Sequence, residues 1–298
     1  MKIQTFSIVV GTSACDGNCP FCISHMTGYQ NLDPTPDINY RNFQKSCSLA
    51  TLGGCTTVLF TGKGEPLLYP ADLTKYLLKL QEMGDPFPFL ELQTNGLQIG
   101  WSADYKSDDL RINLMNWRNY GLNTIALSVV GINPDDNKRI YHPDYPDLSK
   151  TVDYIHSLGY SVRLCVMMHK GMVDCAEKIY EVADWCKKHG VAQSTFRPIR
   201  KSDSNTVQST PEQRYVDENT IPVDYLSMTQ DIIDRESTHL MTLMHGAHTA
   251  KVYDHDGQNI CMSDCLTTEP QSDDIRTLIF YNSGELMYSW QHPGARLL

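Results

Sequence analysis

The most constraining feature of this chain is a repeated unit: a short, nearly continuous apolar run, a loop, an amphipathic segment, a glycine, then the next apolar run. Six such runs occur, at 3–10, 56–62, 89–95, 124–130, 161–168 and 193–199. Each has strand length, and near-continuous apolar character is what a strand buried on both faces requires. Between them, segments 72–83, 110–120, 148–158 and 175–189 repeat their apolar residues at three- and four-residue steps, as amphipathic helices do. Gly84, Gly121, Gly159 and Gly190 stand just past those segments, where a left-handed helix stop favours glycine. Strands alternating with helices at this spacing form right-handed βαβ units and a parallel sheet. The period alone leaves an open barrel and a doubly wound sheet equally available.

The repeat ends at Arg200, and 201–222 is polar and reads as a connection. Residues 223–245 read as one helix with Leu226, Ile233, Leu240 and Leu243 on a shared face, and 276–290 as a β-hairpin turning at Asn282-Ser283-Gly284. The expected organisation is a repeat domain over 1–205 and a small C-terminal α+β extension over 206–298, helix plus hairpin, covering the open side of the barrel. Tyr253, Asp254 and Asp256 are placed over that side by the same reasoning. His245, His248 and His255 read as solvent-facing or substrate-facing side chains.

A net charge of −10 disfavours a surface that neutralises many phosphates, so a small molecule or peptide is the expected substrate rather than nucleic acid. No apolar stretch reaches the roughly eighteen residues that span a bilayer, and residues 1–10 lack the basic start and long apolar region of an export signal. The expected compartment is therefore the cytoplasm. In that reducing setting ten cysteines stand for metal ligands, catalytic thiols or small buried side chains rather than disulfides. Cys47, Cys55, Cys175 and Cys186 fit the last description.

Cys15, Cys19 and Cys22 follow the first run at metal-ligand spacing. Three thiolates leave one iron of a four-iron, four-sulfur cubane open to an outside ligand. A closed zinc site would need a fourth ligand, which His25 could supply. The string Cys15, Cys19, Phe21, Cys22 resembles the CxxxCxΦC signature of the radical S-adenosylmethionine superfamily. Thr61-Gly62-Lys63-Gly64-Glu65-Pro66 is similar to that family's GGEP segment, with Lys63 as a departure, and Thr94-Asn95-Gly96 is similar to its TNG.

The resemblance covers 1 to about 200. It implies a partial (β/α)6 TIM-like barrel, a [4Fe-4S] cluster on Cys15, Cys19 and Cys22, and S-adenosylmethionine held by Phe21, Gly62, Gly64, Glu65, Asn95, Ser128, Arg163 and Arg197. Arg163 and Arg197 also suit a substrate carboxylate, because a charge on a buried strand needs a partner. The implied reaction is reductive cleavage to a 5′-deoxyadenosyl radical that takes hydrogen from substrate, with flavodoxin or ferredoxin as external reductant. Cys261 and Cys265 form a further CxxxC pair, open to three readings: ligands of an auxiliary iron–sulfur cluster, a structural pair, or catalytic thiols that return hydrogen to a product radical. Cys165 is grouped with them as a catalytic thiol. A glycyl-radical activating enzyme and a nucleoside-modifying enzyme remain open within the family. Outside it, the alternative is a non-enzymatic iron–sulfur or zinc protein.

Overall fold

A computed structural model describes residues 2–28, 32, 37–105, 108–201, 210–245, 248–263 and 274–298. Six parallel strands form its centre: β1 (Ile3–Val9), β2 (Thr57–Thr61), β3 (Phe89–Thr94), β4 (Thr124–Val129), β5 (Ser161–Met168) and β6 (Gln193–Pro198). The helices in the first 200 residues are α1 (Ile23–Thr27), α2 (Tyr40–Leu52), α3 (Pro70–Glu82), α4 (Leu97–Tyr105), α5 (Asp108–Asn119), α6 (Pro134–Ile140), α7 (Leu148–Ser157) and α8 (Ala176–Lys188). All six apolar runs and all four amphipathic segments therefore become the expected elements. The four glycine stops lie at φ between +67° and +94°.

Side-chain alternation gives the sheet two unlike faces. Phe6 and Ile8, Val58 and Phe60, Leu90 and Leu92, Ile125 and Leu127, and Val162 and Leu164 pack outward against the helices in one continuous core. Their neighbours point inward, and many are polar: Ser7, Thr57, Glu91, Gln93, Ser128, Arg163 and Arg197. The inward ends of these strands surround a single cavity, so the sheet curls into a barrel, which stays open.

The strands of the last 60 residues occupy both edges of this sheet. After α9 (Pro211–Asn219) and α10 (Val223–Glu236) come β7 (Thr238–His245), β8 (His248–His255) and β9 (Gln258–Ser263). Strand β9 pairs parallel to β6, with β8 and β7 antiparallel beyond it. β10 (Ile275–Phe280) pairs parallel to β1, and β11 (Leu286–Met287) folds back on β10 as the expected hairpin. The full order is β11-β10-β1-β2-β3-β4-β5-β6-β9-β8-β7.

Two sequence expectations change here. The helix expected over 223–245 ends at Glu236, because Ser237 turns extended at φ −123° and 238–245 finds a partner strand in β8. Pairing with a distant segment overrides local helical periodicity. The polar connection 201–222 contains α9, started by a capping box in which Thr210 and Gln213 bond each other's backbone N–H. The β8–β9 turn carrying Asp254 and Asp256 lies where β9 begins, at the amino ends of the barrel strands and away from the cavity. Tyr253 is buried, with its hydroxyl on Asp234 and Gln230. These three residues thus belong to the β8–β9 hairpin, which extends the sheet beyond β6, and do not line the cavity. No helix among the described residues is long and apolar enough to cross a membrane.

Phe43 on α2 is fully buried against Phe6, Tyr76 and Phe280, which come from β1, α3 and β10. Phe43→Ala should cost about 3–5 kcal/mol, read as a lowered urea midpoint with an unchanged slope; a loss under about 1 kcal/mol would contradict this packing.

Candidate active site

The cavity, of about 370 Å³, opens at the carboxyl ends of the parallel strands, where barrels of this kind gather their chemistry. Each wall derives from a strand end. The segment after β1 brings Cys15, Cys19, Phe21 and Cys22; the one after β2 brings Gly62, Lys63 and Gly64; β3 ends in Gln93, Thr94 and Asn95. Ser128 comes from β4, Met167 from β5 and Arg197 from β6, with Arg200 following.

The cysteine loop is shaped by its glycine. A Cβ on Gly17 would sit 3.7 Å from Cys15 Sγ, 3.9 Å from Cys19 Sγ and 3.2 Å from Asn95 Nδ2. The loop therefore closes around a space that a larger residue would fill, with two thiols facing it. Asp16 is fixed by Asn95 Nδ2 at 2.7 Å and Gln98 Nε2 at 2.8 Å, and Asn18 N–H donates to the Tyr141 carbonyl at 2.9 Å. Burial holds the Cys15 thiol up at about 11 and pushes Cys19 further, with Cys22 and Cys15 adding repulsion. Such thiols become thiolates when a metal takes their protons. His25 holds its Nδ1 on Glu212 Oε1 at 2.9 Å, which ties α1 to α9. No group of three or more His, Cys, Asp or Glu among the described residues converges on one metal ion.

The glycine-rich segment packs on the cysteine loop. A Cβ on Gly64 would lie 2.0 Å from the Ala14 carbonyl oxygen, and Glu65 N–H donates to that same oxygen at 2.9 Å. Glu65 is buried, and its carboxyl accepts from Leu67 N–H at 3.0 Å, Thr94 Oγ1 at 2.7 Å and Asn95 N–H at 3.0 Å. Two of these bonds, from Thr94 and Asn95, tie this segment to the end of β3. Asn95 is likewise committed, donating to Asp16 and accepting from Leu97 N–H at 2.9 Å. Burial raises the Glu65 carboxyl from 4.5 to about 7, against the three hydrogen bonds that lower it.

Other expected site residues divide by depth. Phe21 lines the cavity and packs edge-on to His169 at 4.7 Å and to Tyr141 at 6.4 Å. Ser128 and Arg197 line it as well, and the Arg197 Nε is buried without a hydrogen-bond partner. Arg163 does not line it: the guanidinium pairs with Glu91 at 2.5 Å, lower in the barrel. Cys165 and Cys261 are buried on either side of Thr195 in the strand register and share that lower region with Arg163. Cys265 lies outside the described residues, as do the positions of His245 and His248 side chains. His255 stacks on Tyr180 at 3.9 Å, remote from the cavity.

Sequence reasoning passed over Asp16, Gln98, Gln93 and Tyr141, and treated Lys63 only as a departure. Lys63 is buried on the cavity wall, donates to Thr27 Oγ1 at 2.7 Å, and lies 5.7 Å from the centre of the Trp290 ring. Burial lowers its ammonium to about 8, while Cys22 acts in the opposite sense. Glu91 and Gln93, two polar residues at alternate positions in an otherwise apolar run, were the available signal for an inward face.

The Radical SAM superfamily profile matches residues 9–186. No curated protein matches the chain. Among solved structures, SuiB of Streptococcus suis bound to its precursor peptide SuiA has 15% identity and a TM-score of 0.56 over 97% of this chain and 60% of its own. SuiB bound to S-adenosylmethionine gives 16%, 0.54, 96% and 60% in the same order. A radical SAM methyltransferase of Sphaerobacter thermophilus gives 16%, 0.50, 77% and 63%. This chain thus spans about 60% of the length of SuiB, and the likeness is one of fold.

Glu65 gives this site a pH signature. Between 4.5 and about 7 the folded protein keeps a proton that the unfolded chain has released, so the Glu65 contribution to stability is full below 4.5 and is lost as pH rises past 7. The stability difference between wild type and Glu65→Gln should therefore move against wild type across that window, by on the order of 3 kcal/mol. Urea unfolding at stepped pH measures it, and a difference that stays flat would refute the assignment.

Proposed function

This chain belongs to the radical S-adenosylmethionine superfamily, and from that premise we propose that it abstracts hydrogen from an unactivated C–H position of a small molecule or peptide. It is an enzyme, and the family implies a [4Fe-4S] cluster and S-adenosylmethionine. When bound and reduced, that pair supplies a 5′-deoxyadenosyl radical and methionine. The observation that carries the reading is the convergence of the cysteine loop and the glycine-rich segment on one cavity at the carboxyl ends of β1 and β2.

In this reading Cys15, Cys19 and Cys22 hold the cluster, and the Gly17 fold leaves room beside their sulfurs. Gly62 and Gly64 offer backbone polar groups to the methionine part of the cofactor, since no side chain stands in front of them. Phe21 packs beside the adenine, and Ser128 and Arg197 hydrogen-bond the polar parts of cofactor or substrate; the unpartnered Arg197 Nε supports this. Glu65 and Asn95 act as positioning residues, one fastening the glycine segment to β3 and the other fastening Asp16. Arg163 and its partner Glu91 form the polar floor below the cofactor. Cys165 and Cys261 stand in the same region and are our candidates for returning hydrogen to a product radical.

Residues 1–205 are assigned the cofactor chemistry and 206–298 the shaping of the substrate side. A peptide is the class of partner bound by SuiB, and a second cavity here shares Pro198 and Arg200 with the first. The reductant is external, a flavodoxin or ferredoxin, and the compartment is the reducing cytoplasm.

Anaerobic reconstitution with iron and sulfide, then dithionite and S-adenosylmethionine, should yield 5′-deoxyadenosine from wild type, detected by chromatography. Cys19→Ala should fall to the level of a protein-free control. Equal yields from the two, or none from a fully loaded wild-type protein given candidate substrates, would defeat the proposal.

A further inference from the structure

Lys63 is a charge in a place where charge is costly. Taking an ammonium out of water costs several kcal/mol unless an anion compensates, yet neither of its contacts is anionic. Thr27 offers a neutral hydroxyl at 2.7 Å, and Trp290 offers a ring face at 5.7 Å that attracts a cation without neutralising it. No carboxylate pairs with it among the described residues. Its ammonium stands on the wall of the same cavity that Cys15, Cys19 and Cys22 line.

The backbone leaves Lys63 little choice of direction. Gly64 is pressed on Ala14 at a distance that admits no Cβ, so the segment is locked on the cysteine loop. Thr27 ends α1, which starts immediately after Cys22, and Thr27 Oγ1 itself donates to the Ile23 carbonyl at 2.8 Å. The ammonium is thus held by the helix that leads out of the loop and by a ring from the far end of the chain.

We propose that Lys63 is the counter-charge of the cluster bound by Cys15, Cys19 and Cys22, and that it raises the cluster's reduction potential by favouring the more negative, reduced state. This rests on the reading that the loop holds such a cluster. A fixed positive charge in a site sheltered from water stabilises added negative charge more than it would in water. Reduction adds one electron to the cluster, supplied by the external reductant, and breaks no bond at Lys63. Its role is therefore one of positioning charge.

The test is a redox titration of reconstituted protein without S-adenosylmethionine, followed by the electron paramagnetic resonance signal of the reduced cluster, with iron per chain measured first. At a fixed applied potential Lys63→Gln should show an approximately tenfold smaller reduced-to-oxidised ratio, a midpoint lower by about 59 mV for a one-electron couple. Trp290→Leu keeps the charge and should shift the midpoint by clearly less. If Lys63→Gln does not load, Lys63→Met replaces it. A midpoint unchanged from wild type in the loaded variant overturns the inference while leaving the cluster reading intact. A shift in Trp290→Leu as large as that in Lys63→Gln assigns the effect to packing and overturns it too. Failure of wild type to form any cluster would instead remove the reading on which both stand.

Discussion

The contact between Gly64 and the Ala14 carbonyl is the constraint on which the site depends. Two loops from adjacent strands meet there without room for a single extra carbon, and the Glu65 amide closes the contact with a hydrogen bond to the same oxygen. From that point order spreads outward. Glu65 passes it to Thr94 and Asn95, and Asn95 passes it back to Asp16 within the cysteine loop. The result is a ring of bonds through the ends of β1, β2 and β3, so the three cysteines are positioned by strands and not by their own loop alone. A precise site on a rigid scaffold is what chemistry with a reactive radical needs.

This ring also explains how some residues near the cavity are held. A buried carboxyl that already accepts three hydrogen bonds, and an amide bonded at both its nitrogen and its oxygen, are oriented by the protein before any cofactor arrives. Ser128, Arg197 and the backbone of Gly62 and Gly64 are less encumbered. The polar inward face below them, with Glu91 paired to Arg163, costs desolvation that packed apolar side chains would avoid. A barrel interior used only for stability would have no need of it.

The repeat of the first 200 residues was legible because one face of each strand is packed against helices and each helix shows one apolar face to the sheet, so local pattern and long-range packing ask for the same residues. The cysteine loop was legible because its chemistry is local in sequence. What escaped had a non-local cause. Residues 238–245 carry helical periodicity but become β7, since β8 supplies an edge. Asp16 gains meaning only through Asn95 and Gln98, which both donate to it, and Lys63 only through Thr27 and Trp290. Depth was also hidden: Arg163 and Arg197 look alike on their strands, yet one is paired in the interior and the other reaches the cavity.

The pairing of β1 with β10 has a consequence for how the molecule is made. Ile3 meets Ile275 and Ile8 meets Phe280, so the strand that leads into the cysteine loop gains its outer neighbour from the far end of the chain. On a ribosome, which delivers residues in order, β1 to β6 can assemble while the flank of β1 stays bare. Contacts this distant in sequence also close late, because the loop entropy must be met first. The strand that leads into the cysteine loop is thus completed last on that flank, and until then its backbone edge is open to pairing with other chains.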